Sequence, residues 1–260
     1  MEGLSIIIPV YNRVESTLRC IDAVTELNAA CPIEIIIVDN GSTDETPQAL
    51  STAPYAERVV YFRNEENLGV SEALNRGCRA ARCALLCCMH NDLFLYRKNW
   101  AARIAEFILG AERPGVIGLY GARTMREDGS FWGRTIVHSL KDRPSLSGDA
   151  ESVVVVDGVL MAMKKTAYEA AGGFDEEFPV HFYDKDMSMR MLSRGFINYV
   201  INIPFEHSCA VTRTQICDDD EIRDRAQERF MTIWHDHLPA DVTTWWERIM
   251  LSLKKKGSGE

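Results

Sequence analysis

Through the first third of the chain, short, mostly apolar runs alternate with stretches whose apolar positions recur at helical spacing. Leu4–Val10 predicts a buried strand, and Val14 to Leu27 predicts an amphipathic helix. Further strands are predicted over Glu34–Val38, Val59–Phe62 and Ala84–Met89, with a helix from Ser71 to Ala81 before the last of them. Ser42-Thr43-Asp44-Glu45 has the S-x-x-E spacing of a helix capping box. Repeated strand–helix units of this kind predict an α/β fold, a mostly parallel sheet with helices on both faces. The second half is less regular. Glu127-Asp128-Gly129-Ser130 is a turn signal, Lys141 to Glu151 a polar loop, and Val153–Val156 reads as a strand. Asp186 to Arg194 predicts a short helix that Gly195 ends.

Acidic clusters fall at particular points of this pattern. Asp39 follows the second predicted strand, and His90-Asn91-Asp92 follows the fourth. Asp184-Lys185-Asp186 follows the aromatic stretch His181-Phe182-Tyr183. In open α/β sheets, ligands bind beyond the carboxyl ends of the strands, so the first two clusters are expected to line a site.

At 260 residues the chain can bury a substantial core, and 46% hydrophobic with 26% charged residues is ordinary for a globular protein. A formal net charge of -9 argues against a nucleic-acid partner. It is compatible with an anionic small ligand if a divalent cation offsets the repulsion. The eight cysteines form no C-x-x-C pair, so a zinc site is not expected, and reduced thiols fit a cytoplasmic protein. No secretory leader and no membrane-length apolar run is evident, so the expectation is that the protein stays on the side where it is made. The segment from Trp245 to Lys256 joins paired Trp, an apolar stripe and a Lys run. That composition suits a helix at the inner face of the cytoplasmic membrane, while the more ordinary reading is a terminal helix packed on the domain with a solvated basic end.

The ordered set Pro9-Val10-Tyr11-Asn12, Val38-Asp39-Asn40-Gly41-Ser42-Thr43-Asp44 and Asn64-x-x-Asn67-Leu68-Gly69, with Asn75 and Gly77, resembles the family 2 glycosyltransferases over roughly residues 4 to 213. The resemblance implies the GT-A fold, a Rossmann-like form of the α/β class, with C-terminal helices. It implies inverting transfer of a sugar from a nucleoside diphosphate donor, UDP or dTDP favoured, to a glycan or lipid-linked glycan. Pro9, Tyr11, Asn12, Asp39, Asn67, Gly69, Asn75 and Asn91 would form the donor site. Asp39 could accept a pyrimidine N3–H; capping of the following helix is the alternative. His90-Asn91-Asp92 stands at the family's D-x-D position, with only its third residue acidic. Asp92 would ligate Mn2+ or Mg2+. His207 would join it, or serve only the structure. Asp184 and Asp186 match the acids of the family's E-D-x-D-x-x-x-R motif, with Tyr183 in the Glu position and Arg190 following. Either could be the base, and Asp186 could instead cap its helix. Asp157-Gly158 and Gly172-Gly173-Phe174-Asp175 also match family features.

The domain expectation is a GT-A domain over 1–215, its nucleotide-binding part about 1–95 and acceptor part about 96–215, then a helical extension over 216–260. A non-catalytic sugar-nucleotide-binding protein, or a module of a larger polysaccharide synthase, is the rival reading. A nucleotidyltransferase would need a Gly-rich phosphate loop after the first strand, and a dinucleotide dehydrogenase a G-x-G-x-x-G; neither is present. Oligomeric state is left open.

Overall fold

Strand β1 (Leu4–Val10) shows why the sheet is covered on both sides. Ile6 and Ile8 belong to a core that includes Cys20, Ile21 and Val24 of helix α1 (Val14–Leu27). Ile7, between them in sequence, belongs to a second core on the opposite face. Alternate side chains point to opposite faces of a strand, and all three isoleucines are fully buried, so each face needs a helical cover. Each buried side chain of this size contributes roughly 1.5–3 kcal/mol. The computed structural model describes residues 2–28, 31–137, 146, 148–207 and 219–243.

The alternation continues through β2 (Ile33–Asp39), α2 (Thr46–Leu50), β3 (Val60–Arg63), α3 (Val70–Ala80) and β4 (Leu85–Met89). Next come β5 (Leu93–Leu95), α4 (Trp100–Gly110), β6 (Pro114–Gly118), β7 (Tyr120–Met125) and β8 (Phe131–Ile136). They are followed by β9 (Ala150–Val153), β10 (Val155–Val156), β11 (Leu160–Lys164) and α5 (Lys165–Ala171). The last described elements are α6 (Tyr183–Ser193), β12 (Ile197–Ile201), β13 (Phe205–His207), α7 (Asp219–Trp234) and β14 (Ala240–Asp241).

The main sheet has eight strands in the order β3-β2-β1-β4-β11-β6-β12-β9. Its first four strands run parallel, β12 runs parallel to β6, and β11 and β9 run antiparallel to their neighbours. The expected mostly parallel α/β sheet is what forms. β7 carries a smaller sheet with β8, β10 and β14, and β5 pairs with β13. Helices α1 and α4 cover one face of the main sheet, and α3, α5, α6 and α7 cover the other.

Three local expectations are corrected. The S-x-x-E capping box does not form: α2 starts at Thr46, and its N-cap residue, Glu45, makes no side-chain cap. Ser42 Oγ instead accepts the Asn12 N–H at 2.7 Å, and Asp44 Oδ1 accepts that of Thr46 at 3.0 Å. Tertiary partners outcompete the local motif. Val153–Val156 is not one strand, because β9 ends at Val153 on the main sheet and β10 begins at Val155 on the smaller one. The run is uniformly β-branched because both pieces are buried. Finally, α6 begins at Tyr183, so Asp184 and Asp186 lie in its first turn and Asp186 is not a cap. Gly195, at φ +75°, follows the helix end as expected.

Among the described residues no helix is long and apolar enough to cross a membrane. The Trp245–Lys256 segment, and with it the expected membrane contact, lies outside the described residues. The described part of the expected 216–260 extension is built into the fold: Ala226, Phe230 and Trp234 join the second core, and β14 pairs with β7.

Candidate active site

Because β1, β2 and β4 are parallel, their carboxyl ends share one edge of the sheet. β2 and β4 flank β1, so the chain segments after them emerge about 10 Å apart. The end of β1 is stitched to the segment after β2. Asn12, at φ +59°, accepts the Thr43 N–H on Oδ1 at 2.8 Å, while its own N–H bonds Ser42 Oγ. Pro9 and Tyr11 lie partly buried beside this knot.

Asp39 is fully buried. Oδ2 accepts Tyr61 OH at 2.6 Å and Arg63 Nη1 at 2.8 Å, and Oδ1 accepts the Ser42 N–H at 2.8 Å. The carboxylate therefore fixes two side chains of β3, and since it has no exposed surface, direct acceptance of a base N3–H would require the groups that cover it to move. Asn67 is exposed and accepts the Gly69 N–H at 3.0 Å; the Gly69 carbonyl accepts from Asn40 Nδ2 at 2.8 Å. Asn75 is bonded to other parts of the fold. Its amide donates to Phe174 O and Glu176 Oε1 and accepts from Tyr168 OH and the Phe174 N–H. All four of its hydrogen-bonding positions are used within the fold, so it fastens the 174–176 segment to α3.

Beyond β4, Asn91 is tied to α1, donating Nδ2 to Thr17 Oγ1 at 2.9 Å. The short β5–β13 ladder sets His207 opposite Leu93, next to Asp92 in sequence. His207 Nε2 donates to Asp92 Oδ1 at 3.0 Å. His90 Nδ1 lies 3.3 Å from His207 Nε2 and 4.0 Å from Asp92 Oδ1. Burial alone would raise the Asp92 carboxyl, but the His207 hydrogen bond and the two imidazoles hold it below the usual range. The ligand atoms of His90, Asp92 and His207 lie within 4.8 Å of one another. Two imidazoles and a carboxylate at such separations fit around one divalent ion, whose bonds to these atoms are about 2.0–2.2 Å long.

Asp184 and Asp186 separate sharply. Asp184 is partly buried; its Oδ2 accepts the Gly158 N–H at 2.9 Å and its Oδ1 the Lys185 N–H at 2.8 Å. Burial, and then the negative charge of Asp157, push its carboxyl up to about 6, a range suited to a base working near neutral pH. Asp186 has no exposed surface. Its Oδ1 accepts Trp234 Nε1 at 3.0 Å, and its Oδ2 forms an ion pair with Arg190 Nε at 2.7 Å. It holds α7 against α6 and reaches no open surface.

Tyr183 links the two halves of the site. Its hydroxyl lies 3.2 Å from His90 Nε2 and donates to the Gly158 carbonyl at 3.4 Å. Gly158 has to be glycine, because a Cβ there would collide with Tyr183 Oη. His90 and Tyr183 were legible in the sequence only as departures from the D-x-D and E-D patterns. Their joint position at the site is a product of the fold.

The family model described as Glycosyl transferase family 2 matches residues 5–171. A PGL/p-HBAD biosynthesis glycosyltransferase of Mycobacterium bovis (strain BCG / Pasteur 1173P2) is 35% identical over 131 residues, 50% of this chain and 50% of the relative. A poly-beta-1,6-N-acetyl-D-glucosamine synthase of Staphylococcus epidermidis is 24% identical over 184 residues, 68% of this chain and 43% of the relative. The matches thus span about half the length of these curated relatives. Among solved structures, the mannosyltransferase PcManGT from Pyrobaculum calidifontis, in complex with GDP-Man and Mn2+, superposes with a TM-score of 0.62 at 19% identity. That superposition covers 81% of this chain and 58% of the other, a likeness of fold.

Proposed function

The chain belongs to glycosyl transferase family 2, and from that premise we propose that it moves a sugar from a nucleoside diphosphate sugar, UDP or dTDP favoured, to a glycan or lipid-linked glycan, with inversion at the anomeric carbon. The observation that carries this reading is the meeting, through Tyr183, of the His90–Asp92–His207 cluster and a carboxylate, Asp184, whose acid form persists to about pH 6.

Asp92 and His207 would hold Mn2+ or Mg2+. When bound, such an ion neutralises charge developing on the departing diphosphate. Pro9, Tyr11, Asn12, Asn67, Gly69 and Asn91 shape the donor slot. Asp39 contributes by holding Tyr61 and Arg63 at its wall. Asp184 takes the proton of the acceptor hydroxyl as that oxygen bonds to the anomeric carbon. The bond from that carbon to the diphosphate oxygen breaks on the opposite face, with oxocarbenium character in the transition state. The name of the Staphylococcus epidermidis relative supports a glycan acceptor. The Trp245–Lys256 segment supports one presented on a lipid at the inner face of the cytoplasmic membrane.

The test is a panel of UDP-, dTDP- and GDP-sugars, read by thermal stabilisation with and without Mn2+ and then by product formation. Asp184→Asn should keep donor-dependent stabilisation and lose transfer by about 10²–10⁴-fold. Full transfer by that variant removes the base assignment, and donor binding by wild type with neither transfer nor hydrolysis favours a binding protein.

A further inference from the structure

The two positions where this chain departs from the family pattern touch each other. His90 replaces the first acid of D-x-D, Tyr183 replaces the Glu before Asp184, and His90 Nε2 lies 3.2 Å from Tyr183 Oη. The contact orders the protons. We assign the His90 proton to Nε2, with Tyr183 Oη donating to the Gly158 carbonyl and accepting from His90. Nδ1 keeps its lone pair, and that atom faces His207 Nε2 and Asp92 Oδ1. Tyr183 is itself held in place. It is buried, its ring meets Phe174 edge-on with centroids 6.0 Å apart, and Gly158 makes room for its hydroxyl.

We propose that His90 Nδ1 is a third protein ligand of the metal, that Tyr183 is its positioning residue, and that the resulting set of two imidazoles and one carboxylate selects a first-row transition ion over Mg2+. This rests on the reading of the site as a metal-assisted donor site. The selectivity follows from the donor atoms. Mg2+ is a hard cation that favours oxygen ligands and gives up water reluctantly. Imidazole nitrogen favours first-row transition ions. An imidazole in place of a carboxylate also removes one negative charge, which weakens a purely ionic Mg2+ contact without supplying the oxygen that Mg2+ favours. A tyrosine hydroxyl on the far nitrogen plays the part usually taken by a carboxylate or carbonyl behind a metal-bound histidine.

The experiment uses the full chain with Mn2+, with and without UDP, read by electron paramagnetic resonance. Loss of the free-ion signal counts bound Mn2+, pulsed spectra report nitrogen bonded to it, and added Mg2+ competes. Wild type should bind Mn2+ with coupling from two imidazoles and keep it against an excess of Mg2+. His90→Asp should lose part of the nitrogen coupling and yield to Mg2+ at an excess about 10–100-fold lower. Tyr183→Phe should weaken Mn2+ binding by about 10-fold or more, with the far-ultraviolet circular dichroism unchanged. Spectra with a single imidazole in wild type overturn the inference even if neither variant folds. Identical competition curves for wild type and His90→Asp overturn it as well, and both results leave metal-assisted transfer standing. Absence of any bound Mn2+, with UDP present and UDP stabilisation indifferent to metal, overturns the inference and the metal-assisted reading together.

Discussion

Trp234 Nε1 donates to Asp186 Oδ1 across 3.0 Å, joining α7 to an acid that local sequence offered as a catalytic candidate. The bond sits in a charged cluster. Arg190 pairs with both Asp186 and Asp175, and Arg229 of α7 reaches Asp175 at 2.8 Å. Burial raises the Asp186 carboxyl even though Arg190 and the indole oppose that rise. A buried carboxylate that loses a donor keeps its desolvation cost, so Trp234→Phe should destabilise the protein by about 1.5–3 kcal/mol. The midpoint of urea unfolding measures this, and an unchanged midpoint would show that α7 is held by apolar packing alone.

The acid limb of transfer activity should fall near pH 6, the range to which burial and then Asp157 push Asp184. Asp157→Asn removes the charge while its amide oxygen can still accept the Val159 N–H that Asp157 Oδ1 now binds. The limb should then move toward lower pH, by part of the shift only, because burial is the larger cause. The stability effect has the matching sign. A carboxyl raised in the folded state contributes stability that is complete below its ordinary value of 3.8 and lost as the pH climbs through about 6. A pH–rate profile of the two proteins decides; coincident acid limbs would mean that Asp157 does not act on the proposed base.

Asn75→Ala should act on stability and leave donor selectivity among UDP-, dTDP- and GDP-sugars alone. It deletes four hydrogen bonds, leaving the Phe174 peptide and Tyr168 OH without them. Unsatisfied buried groups make a loss of at least about 2 kcal/mol the expected outcome. Denaturant unfolding beside a nucleotide-sugar panel separates the effects, and altered donor preference at unchanged stability would return Asn75 to the binding site.

The sequence by itself determined the layered core and the edge on which the site is built. Short apolar runs such as Ile6–Val10 and Leu85–Met89, spaced by helical stretches, read as strands covered on both faces, and the residues after parallel strands gather at one end. Its resemblance to family 2 also offered Asp92, His207 and Asp184 as candidates, each from its place in a motif and none from the apolar pattern alone. Local patterns failed where a distant partner displaced a near one, as when Ser42 turned to Asn12 and left the capping box unformed. Asp184 and Asp186 are two residues apart on one helix turn, yet only the packing of α7 decides that one is tied up by Trp234 while the other faces Asp157 and Gly158. The tertiary structure alone joined His90 to His207 across 117 positions and set Tyr183 against both His90 and Gly158. Contacts of that range depend on strand register and helix packing, and no window of neighbouring residues contains them.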